Sequence, residues 1–426
     1  MIDRSQNISA DHKGWEWIIP EYFNIGEACS DRQISLKNGN QTAMIVEDDQ
    51  LGSSNISYDE LAAKTNQFAE IIKNLKLEKQ SRVLVRLPNC LHYPIAFLGA
   101  MKAGCIAVPT STLLTATEVI YLAKDSEAAV LVTDHETWKS LEPIAEELTF
   151  LKAVFIHQAS HDLSSDYLDV NDLGIEMDKI EVCTPNPATK SDDPAYLVYT
   201  SGTTGYPKGV LHAHRALLGR NPASKYWFNF SAVHDRILHT GKFNWTYVLG
   251  SGLMDPLYLG KTVIVYEGKN NPNQWVDLIH KHNATIFIAV PTIYRQILQK
   301  TQSTKEDVPS LLHCMSAGEH LSDEVFERWN SRFGLDIYEA VGMSEFSYYI
   351  SQSVHRPIRP GSAGFPQPGH KIKLINPETL EEIKAGEEGM ICVPEDDPGL
   401  FLEYWHLPEE TAKYKHNGWF FTGDYA

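Results

Sequence analysis

The sequence predicts an α/β protein with largely parallel sheets, because short β-branched apolar runs alternate with segments of helical periodicity. This alternation fills two consecutive regions, which we place at residues 1–188 and 189–355. A third region, residues 356–426, combines Gly and Pro residues with short strand-like runs, which indicates a small β-rich lobe. We therefore expect two βαβ-type subdomains and one smaller β lobe.

The first region opens with a helix predicted over residues 57–75, where Ser57 and Glu60 have the spacing of a capping box. Apolar residues within this segment recur near the helical period. After this helix we predict strands at 83–87, 105–110 and 128–134 and helices at 91–104 and 116–126. The segment CTPNPATKSDDPA (183–195) has the composition of a linker to the second region.

The second region repeats the alternation of strands and helices. We predict strands at 195–200, 261–268 and 284–290 and helices at 209–218 and 273–282, with further strands at 370–375 and 389–394 in the β-rich lobe. His212 and His214 fall on the helix predicted at 209–218, where packing or capping is their expected role. These assignments leave the loop between residues 200 and 209 as the main functional candidate.

Composition excludes several classes of protein. The 426-residue chain has a formal net charge of −18, which argues against a nucleic-acid partner. No stretch of about 18 apolar residues occurs, so we expect no integral membrane segment. No signal-peptide core is seen near the start, and the six cysteines are dispersed without a CxxC pair. This pattern predicts a cytoplasmic protein with free, buried thiols rather than disulfides or a zinc site.

A loop rich in Gly, Ser and Thr follows the strand predicted at 195–200 and precedes Lys208. Glycines let backbone N–H groups turn toward an anion, hydroxyl groups add donors, and a lysine supplies positive charge for phosphate. The Walker A pattern does not fit, because Pro207 and Gly209 replace its second Gly and its Ser or Thr. The loop residues expected to bind nucleotide are Thr200, Ser201, Gly202, Thr203, Thr204 and Gly205.

The segment TSGTTGYPKGV (200–210) resembles the signature loop of the adenylate-forming, or AMP-binding, superfamily. That superfamily includes acyl-coenzyme A synthetases, luciferases and the adenylation domains of peptide synthetases. Three further motifs follow in the family order, so the resemblance covers essentially the whole chain. It implies the large N-terminal domain of these enzymes, with two sheet subdomains layered in a sandwich and a small barrel-like β lobe.

The segment YEAVGMSEFS (338–347) is similar to the family motif that meets adenine, phosphate and magnesium. The resemblance implies that Glu345 holds Mg²⁺ and that Ser344 contacts phosphate. A carboxylate suits this role, because Mg²⁺ prefers oxygen ligands. The residues implied on the adenine side are Glu339, Ala340, Val341 and Gly342. An aromatic residue often precedes the Gly in the family, and this chain departs from that pattern with Val341.

Two other segments complete the implied site. MSAGEHL (315–321) is similar to the turn that lines the adenine pocket, here with Gly318 and Glu319. GWFFTGD (418–424) implies that Asp424 accepts hydrogen bonds from both ribose hydroxyls. For the acyl pocket, the resemblance implies walls at Trp245, Thr246, Tyr247 and Gly250 on one side and Ala289 on the other.

The resemblance implies an AMP-forming acid–thiol ligase that uses ATP, Mg²⁺ and coenzyme A, with Lys208 and Glu345 as the catalytic residues. The local sequence is most similar to benzoate and medium-chain acyl-coenzyme A ligases. It does not specify which small carboxylic acid is the substrate. A peptide-synthetase or luciferase-type adenylating protein and a non-catalytic nucleotide-binding protein are the alternatives. A homodimer is a candidate assembly.

In the family, a hinge and a smaller C-terminal domain with a catalytic lysine follow the ribose-binding Asp. Nothing in this chain matches that hinge, so we expect the chain to correspond to the large domain and to have little activity by itself.

Overall fold

A computed structural model describes residues 15–159, 165–181, 189–200, 206–230 and 234–426. These residues form an eight-stranded sheet, a nine-stranded sheet and a smaller four-stranded sheet, with helices packed against them. The predicted α/β class, with two large sheets and a small β lobe, is confirmed.

The strands, numbered in chain order, are β1 Thr42–Asp48, β2 Gly52–Ser57, β3 Arg82–Arg86, β4 Ile106–Pro109, β5 Ala128–Asp134, β6 Ala153–His157, β7 Val170–Asp172, β8 Pro194–Thr200, β9 Lys208–Ala213, β10 Arg236–His239 and β11 Thr262–Glu267. They continue with β12 Ile286–Ile288, β13 His313–Ala317, β14 Ile337–Val341, β15 Ile350–Ser351, β16 Phe365–Pro366, β17 Lys373–Ile375, β18 Met390–Pro394, β19 Glu403–Tyr404, β20 Lys415–His416 and β21 Trp419–Tyr425.

The α-helices are α1 Ile25–Ala28, α2 Asp31–Ser35, α3 Tyr58–Asn74, α4 His92–Lys102, α5 Ala116–Asp125, α6 His135–Trp138, α7 Leu173–Asp178, α8 Ala216–Gly219, α9 Pro222–Tyr226, α10 Thr246–Leu249, α11 Asp255–Tyr258, α12 Pro272–His282, α13 Pro291–Lys300, α14 Asp323–Phe333 and α15 Pro408–Lys413. Helix α3 begins with the predicted capping box between Ser57 and Glu60, and α5 begins with an equivalent one between Thr115 and Glu118.

The eight-stranded sheet has the order β19-β9-β8-β4-β3-β5-β6-β7. Strands β8, β4, β3, β5, β6 and β7 are parallel, so their carboxyl ends lie along one edge. Strands β9 and β19 extend it by antiparallel pairing, β9 with β8 and β19 with β9. The loop from β8 to β9 therefore leaves the same edge as the loops that follow β3, β5 and β6, which is where ligands bind in open α/β sheets.

The nine-stranded sheet has the order β16-β15-β14-β13-β12-β10-β11-β1-β2, with a parallel centre and antiparallel strands at both ends. One apolar cluster contains Val85 of the eight-stranded sheet, Phe97 of α4 and Val263 of the nine-stranded sheet, all fully buried. The two large sheets thus share a core through the helices between them, which is the layered arrangement.

The prediction of a helix at 209–218 is wrong. Residues Lys208–Ala213 form strand β9, which pairs antiparallel with β8, and a helix begins only at Ala216. The misassignment has a physical cause. Gly209 to Ala213 are continuously buried, and a short buried apolar run carries no periodicity that separates strand from helix. His212 and His214 are buried as predicted, but His212 lies on the strand and His214 follows it.

The predicted boundaries after residues 188 and 355 stay a prediction. Strand pairing crosses both boundaries. Strands β1 and β2 of the first region join the nine-stranded sheet, and β19 of the third region joins the eight-stranded sheet. Residues 183–188 of the predicted linker lie outside the described residues. The small sheet β17-β18-β21-β20 falls within the predicted β-rich lobe.

Candidate active site

The loop between β8 and β9 is framed by a hairpin. Thr200 is the last residue of β8 and pairs with Lys208, the first residue of β9. The predicted nucleotide-binding residues Ser201, Gly202, Thr203, Thr204 and Gly205 lie outside the described residues. The hairpin fixes both ends of the loop, so Lys208 projects from a rigid strand rather than from the loop itself.

The Lys208 ammonium is enclosed by two partners that the sequence motifs did not single out. Its Nζ lies 2.5 Å from Oε1 of Glu410, and both side chains are mostly buried. It also lies 5.6 Å from the ring centroid of Tyr404, within the range of a cation–π contact. Glu410 is on α15 and Tyr404 on β19, so the segment after residue 400 encloses the lysine.

Glu345 is buried and faces the same group of side chains. The Tyr404 hydroxyl donates a 2.7 Å hydrogen bond to its Oε1. Burial raises the pKa of the Glu345 carboxyl, whereas the Tyr404 hydrogen bond and the Lys208 charge lower it, and the Asp424 charge raises it further. Glu345 therefore lies within electrostatic reach of both Lys208 and Asp424.

Asp424 is placed by an irregularity in β21. The register with β18 shifts between Cys392 and Met390, and Gly423 has φ of +82°, a conformation that favours Gly. Thr422 Oγ1 accepts a 3.1 Å hydrogen bond from the Asp424 N–H, which holds the backbone beside the bulge. Burial raises the pKa of the Asp424 carboxyl. The GWFFTGD motif is therefore a bulged strand that presents one acid.

Ser344 connects the predicted phosphate and acyl segments. Its Oγ lies 3.5 Å from Oγ1 of Thr246 in α10. Its carbonyl oxygen is 2.8 Å from Nε2 of His212, which must donate because a carbonyl only accepts. Burial lowers the pKa of His212 to about 3, so the neutral ring supplies one N–H for this bond. His212 therefore holds the motif loop from β9, and its ring also stacks on Tyr196 with centroids 4.7 Å apart, so the predicted packing role is confirmed.

The residues predicted on the adenine side come together at the ends of β13 and β14. These strands are parallel neighbours, with Ala317 paired to Ala340, so Gly318 and Val341 leave the sheet at one edge. Gly342 must be a Gly, because a Cβ there would lie 2.1 Å from the Tyr348 nitrogen. The sheet thus assembles two motifs that are more than twenty residues apart in sequence.

Two of the predicted adenine-side acids bond to the protein itself. Oε1 of Glu339 accepts a 2.9 Å hydrogen bond from the Leu321 N–H, and burial raises the pKa of this carboxyl. Oε2 of Glu319 accepts a 2.7 Å hydrogen bond from the Thr292 hydroxyl. Both contacts fix the chain after β13, so these side chains support the turn that carries Gly318.

The predicted acyl-pocket residues form an aromatic group next to this turn. A Cβ on Gly318 would lie 3.0 Å from Cη2 of Trp245, and the Trp245 and Tyr247 rings meet edge to face at 5.2 Å. Trp245 is 41% exposed, whereas Tyr247 is mostly buried. Gly250 lies against Tyr348, whose hydroxyl oxygen would be 2.6 Å from a Cβ at that position.

The base of this aromatic group carries unpaired polar atoms. Among the described residues, the buried hydroxyls of Tyr247 and Tyr348 have no hydrogen-bond partner. Ala289 is fully buried, and its N–H donates to the Met315 carbonyl between β12 and β13. Buried polar groups are normally paired, so the two hydroxyls are available to a polar ligand atom.

Sequence reasoning missed Tyr404 and Glu410 as site residues. Glu410 is 202 residues from Lys208 along the chain, and Tyr404 is 59 residues from Glu345. No spacing rule connects positions so far apart. The only available signal was the family resemblance of the run YWHLPEETAKYKHNG (404–418), which leads into GWFFTGD and contains both residues.

The chain is similar in sequence to known proteins. The family model described as AMP-binding enzyme matches residues 32–405. A benzoate–CoA ligase of Thauera aromatica is 30% identical over 409 residues, which are 95% of this chain and 74% of the relative. The human mitochondrial acyl-coenzyme A synthetase ACSM3 is 26% identical over 95% of this chain and 70% of its own length.

Solved structures show the same fold. The anthranilate CoA ligase AuaEII in complex with anthranoyl-AMP superposes with a TM-score of 0.84 and 26% identity, covering 96% of this chain and 76% of that protein. ATP-bound MatB from Rhodopseudomonas palustris gives a TM-score of 0.81 with 25% identity, covering 95% of this chain and 76% of that protein. Within the described residues, no helix is long and apolar enough to cross a membrane. The extent of the family match shows that this chain belongs to the AMP-binding enzyme family.

Proposed function

We propose that the protein is an AMP-forming acid–thiol ligase that joins a carboxylic acid to coenzyme A. In the first step a carboxylate oxygen attacks the α-phosphorus of ATP, giving acyl-AMP and pyrophosphate. In the second step the coenzyme A thiol attacks the acyl carbon, loses its proton and releases AMP. The observation that carries this proposal is the grouping of Lys208 and Glu345 around Tyr404 beside the β8–β9 loop, with Asp424 within electrostatic reach of Glu345.

Each charged residue has a role that suits its position. Lys208 neutralises charge on the transferred phosphates, while backbone N–H groups of residues 200–205 bind the same oxygens. Asp424 accepts hydrogen bonds from the two ribose hydroxyls. The reaction needs no covalent bond to the enzyme, so this site works by positioning the substrates and stabilising developing charge.

Glu345 is the residue that fits magnesium. It offers a buried carboxylate, and Mg²⁺ is commonly held by one or two carboxylates together with substrate phosphates. When bound, the ion would shield the phosphate charge from the incoming carboxylate. The Tyr404 hydroxyl keeps Glu345 oriented and favours its ionised form.

The nucleotide base belongs beside the ends of β13 and β14. Gly318, Ala340, Val341 and Gly342 provide backbone and small apolar surface there. The side chains of Glu319 and Glu339 act indirectly, because their carboxylates already bond to Thr292 and Leu321. The Ser344 hydroxyl, held by the His212 contact to its backbone, completes the phosphate end.

We infer that the acid is a small aromatic one. Trp245, Tyr247 and Tyr348 give the pocket flat apolar walls, which suit a ring better than a long acyl chain. The unpaired Tyr247 and Tyr348 hydroxyls favour a substrate that carries a polar substituent. Relatives named benzoate–CoA ligase and 3-hydroxybenzoate–CoA ligase support this class.

The proposal is tested with protein expressed from its complete reading frame. Pyrophosphate release is measured with ATP, Mg²⁺ and each of benzoate, 3-hydroxybenzoate, anthranilate, butyrate and octanoate. Mass spectrometry then follows acyl-AMP and acyl-CoA, with pantetheine as the alternative thiol acceptor. We expect the aromatic acids to be activated and acyl-CoA to form. Acyl-AMP without acyl-CoA would instead support a different acceptor, and ATP binding without pyrophosphate release would support a non-catalytic protein.

We also propose a cytoplasmic homodimer. Light scattering during size-exclusion chromatography gives the mass of the assembly, and fluorescence of a fusion protein gives its location. A mass equal to that of one chain would reject the dimer, and the 426 residues account for 48.0 kDa of that mass.

A further inference from the structure

Three metal-binding side chains meet away from the nucleotide site. Cys90 precedes helix α4, His92 is its first residue, and His157 ends strand β6. One donor atom from each of these residues lies within 4.8 Å of the other two. The His92 and His157 rings are stacked, with centroids 3.8 Å apart and planes inclined by 28°. No sequence spacing indicated this group, because 65 residues separate the two histidines.

The fold presents these side chains on a rigid frame. Strands β3, β5 and β6 are parallel neighbours, so the loop with Cys90 and the end of β6 with His157 share one sheet edge. The loop is fastened by Asn89, whose N–H donates to Glu267 at 2.8 Å and whose Nδ2 donates to the Gly241 carbonyl at 3.0 Å. Metal binding would therefore not require the loop to be ordered first.

The surroundings favour a cation. Two carboxylates lie beside the group: Asp134 at the end of β5 pairs in register with His157, and Glu267 accepts the 2.8 Å hydrogen bond from the N–H of Asn89, the residue before Cys90. A bound cation would relieve the negative field of the carboxylates and would stabilise the thiolate.

We propose that Cys90, His92 and His157 bind Zn²⁺, with water in the fourth position. One thiolate and two imidazoles are a donor set that zinc uses. In a tetrahedral zinc site such donors are about 3.5 Å apart, given bond lengths of about 2.0–2.3 Å. The three donor atoms already lie within 4.8 Å of one another, and side-chain rotation can bring them to this spacing. All three residues are partly exposed, so a water ligand can reach the metal.

The metal site is separate from the proposed reaction. The phosphate loop follows β8, and β4, β3 and β5 lie between β8 and β6. Four strand spacings of about 4.8 Å place the two sites roughly 19 Å apart along one edge. The metal would join the β3–α4 loop to β6 and stabilise this edge, and it would not contact ATP. Its presence can therefore be tested without any assay of ligase activity.

The test uses tag-free full-length protein that is equilibrated with Zn²⁺, desalted and analysed for metal by mass spectrometry. We expect about one Zn²⁺ per chain. Cys90→Ser and His157→Asn should each weaken Zn²⁺ binding by at least about tenfold, since even outer-shell substitutions cost 10–100-fold. The control is His280→Gln, which changes an exposed histidine on α12. No bound Zn²⁺ in the wild type, or equal Zn²⁺ in all variants, would overturn the proposal.

A second measurement uses the wild type alone, so it does not depend on variants that fold. Co²⁺ should give the intense visible bands of a tetrahedral site together with a thiolate charge-transfer band. Zn²⁺ should also slow alkylation of Cys90 by iodoacetamide, read by peptide mass spectrometry, and EDTA should restore the rate. An alkylation rate of Cys90 that is unaffected by Zn²⁺ would reject a metal–thiolate bond.

Discussion

The Tyr404 hydroxyl donates a 2.7 Å hydrogen bond to Oε1 of Glu345, across 59 residues of sequence. The contact joins the short strand β19 to the loop after β14, so the proposed magnesium ligand is oriented by a residue from outside its own motif. Charge-assisted hydrogen bonds favour the ionised acceptor, and burial of Glu345 opposes that ionisation. The balance between these two effects makes the pH dependence of the enzyme sensitive to Tyr404.

Replacing Tyr404 with Phe should move the acid limb of the rate profile to higher pH. The active form of Glu345 is the carboxylate, so activity falls as the pH drops through its pKa. The Tyr404 hydroxyl lowers the pKa of Glu345, so its removal should raise that pKa. A hydrogen bond to a charged group is worth about 1.5–3 kcal/mol, which corresponds to a shift of roughly 1–2 pH units. The measurement is kcat/KM for ATP from pH 5 to 9. Tyr414→Phe is the control, and an unshifted acid limb in Tyr404→Phe would contradict the prediction.

The Lys208–Glu410 pair should compete with ATP for the lysine. Lys208→Gln is expected to weaken ATP binding by about 10–100-fold, because it removes charge-assisted bonds to phosphate. Glu410→Gln should tighten ATP binding by up to about tenfold, because the partner that holds the ammonium is neutralised. Isothermal titration with ATP and Mg²⁺ gives both values.

Glu410 also pairs with the exposed Lys413, so Lys413→Gln is the control for loss of that second contact. ATP affinity in the control should stay near that of the wild type. If Glu410→Gln weakens binding as much as Lys208→Gln does, Glu410 positions the lysine instead of competing with phosphate.

Gly318→Ala should impair both nucleotide and acid binding. Gly318 has φ of +88°, and an added Cβ would lie 3.0 Å from Cη2 of Trp245. The methyl group therefore strains the turn and displaces the aromatic wall, and we expect KM for the acid to rise at least about tenfold. Gly386→Ala is a matched control, since it has φ of +94° and open space around it. Equal losses in both variants would assign the effect to backbone strain alone.

Asp255→Asn should destabilise the fold. Arg220 Nε lies 3.0 Å from Asp255 Oδ1, and both side chains are buried. Removing one partner leaves a buried charge uncompensated, which costs about 3–5 kcal/mol. Urea unfolding followed by circular dichroism measures the free energy of unfolding. Glu324→Gln breaks the exposed pair with Arg328 and should change it by less than about 1 kcal/mol. A similar small loss in Asp255→Asn would show that the buried pair is dispensable.

The sequence by itself determined the α/β class, eight of the 21 described strands, four of the 15 described α-helices, and the family motifs. These features are local. Capping boxes such as Ser57–Glu60 and apolar periodicity act over a few residues, and a motif such as TSGTTGYPKG is recognised without knowledge of its neighbours. Reliance on local patterns also explains the wrong helix prediction at 209–218. This buried run has no periodicity that separates strand from helix, and its conformation is set by pairing with β8.

Tertiary structure alone decided which residues complete the site. Tyr404 and Glu410 reach Glu345 and Lys208 only because β19 adds to β9 at the edge of the eight-stranded sheet and α15 follows it. Cys90, His92 and His157 come together for a related reason, since parallel strands bring carboxyl ends from distant parts of the chain to one edge. Side-chain chemistry is encoded residue by residue, whereas contact between distant residues depends on strand order, which no local pattern specifies.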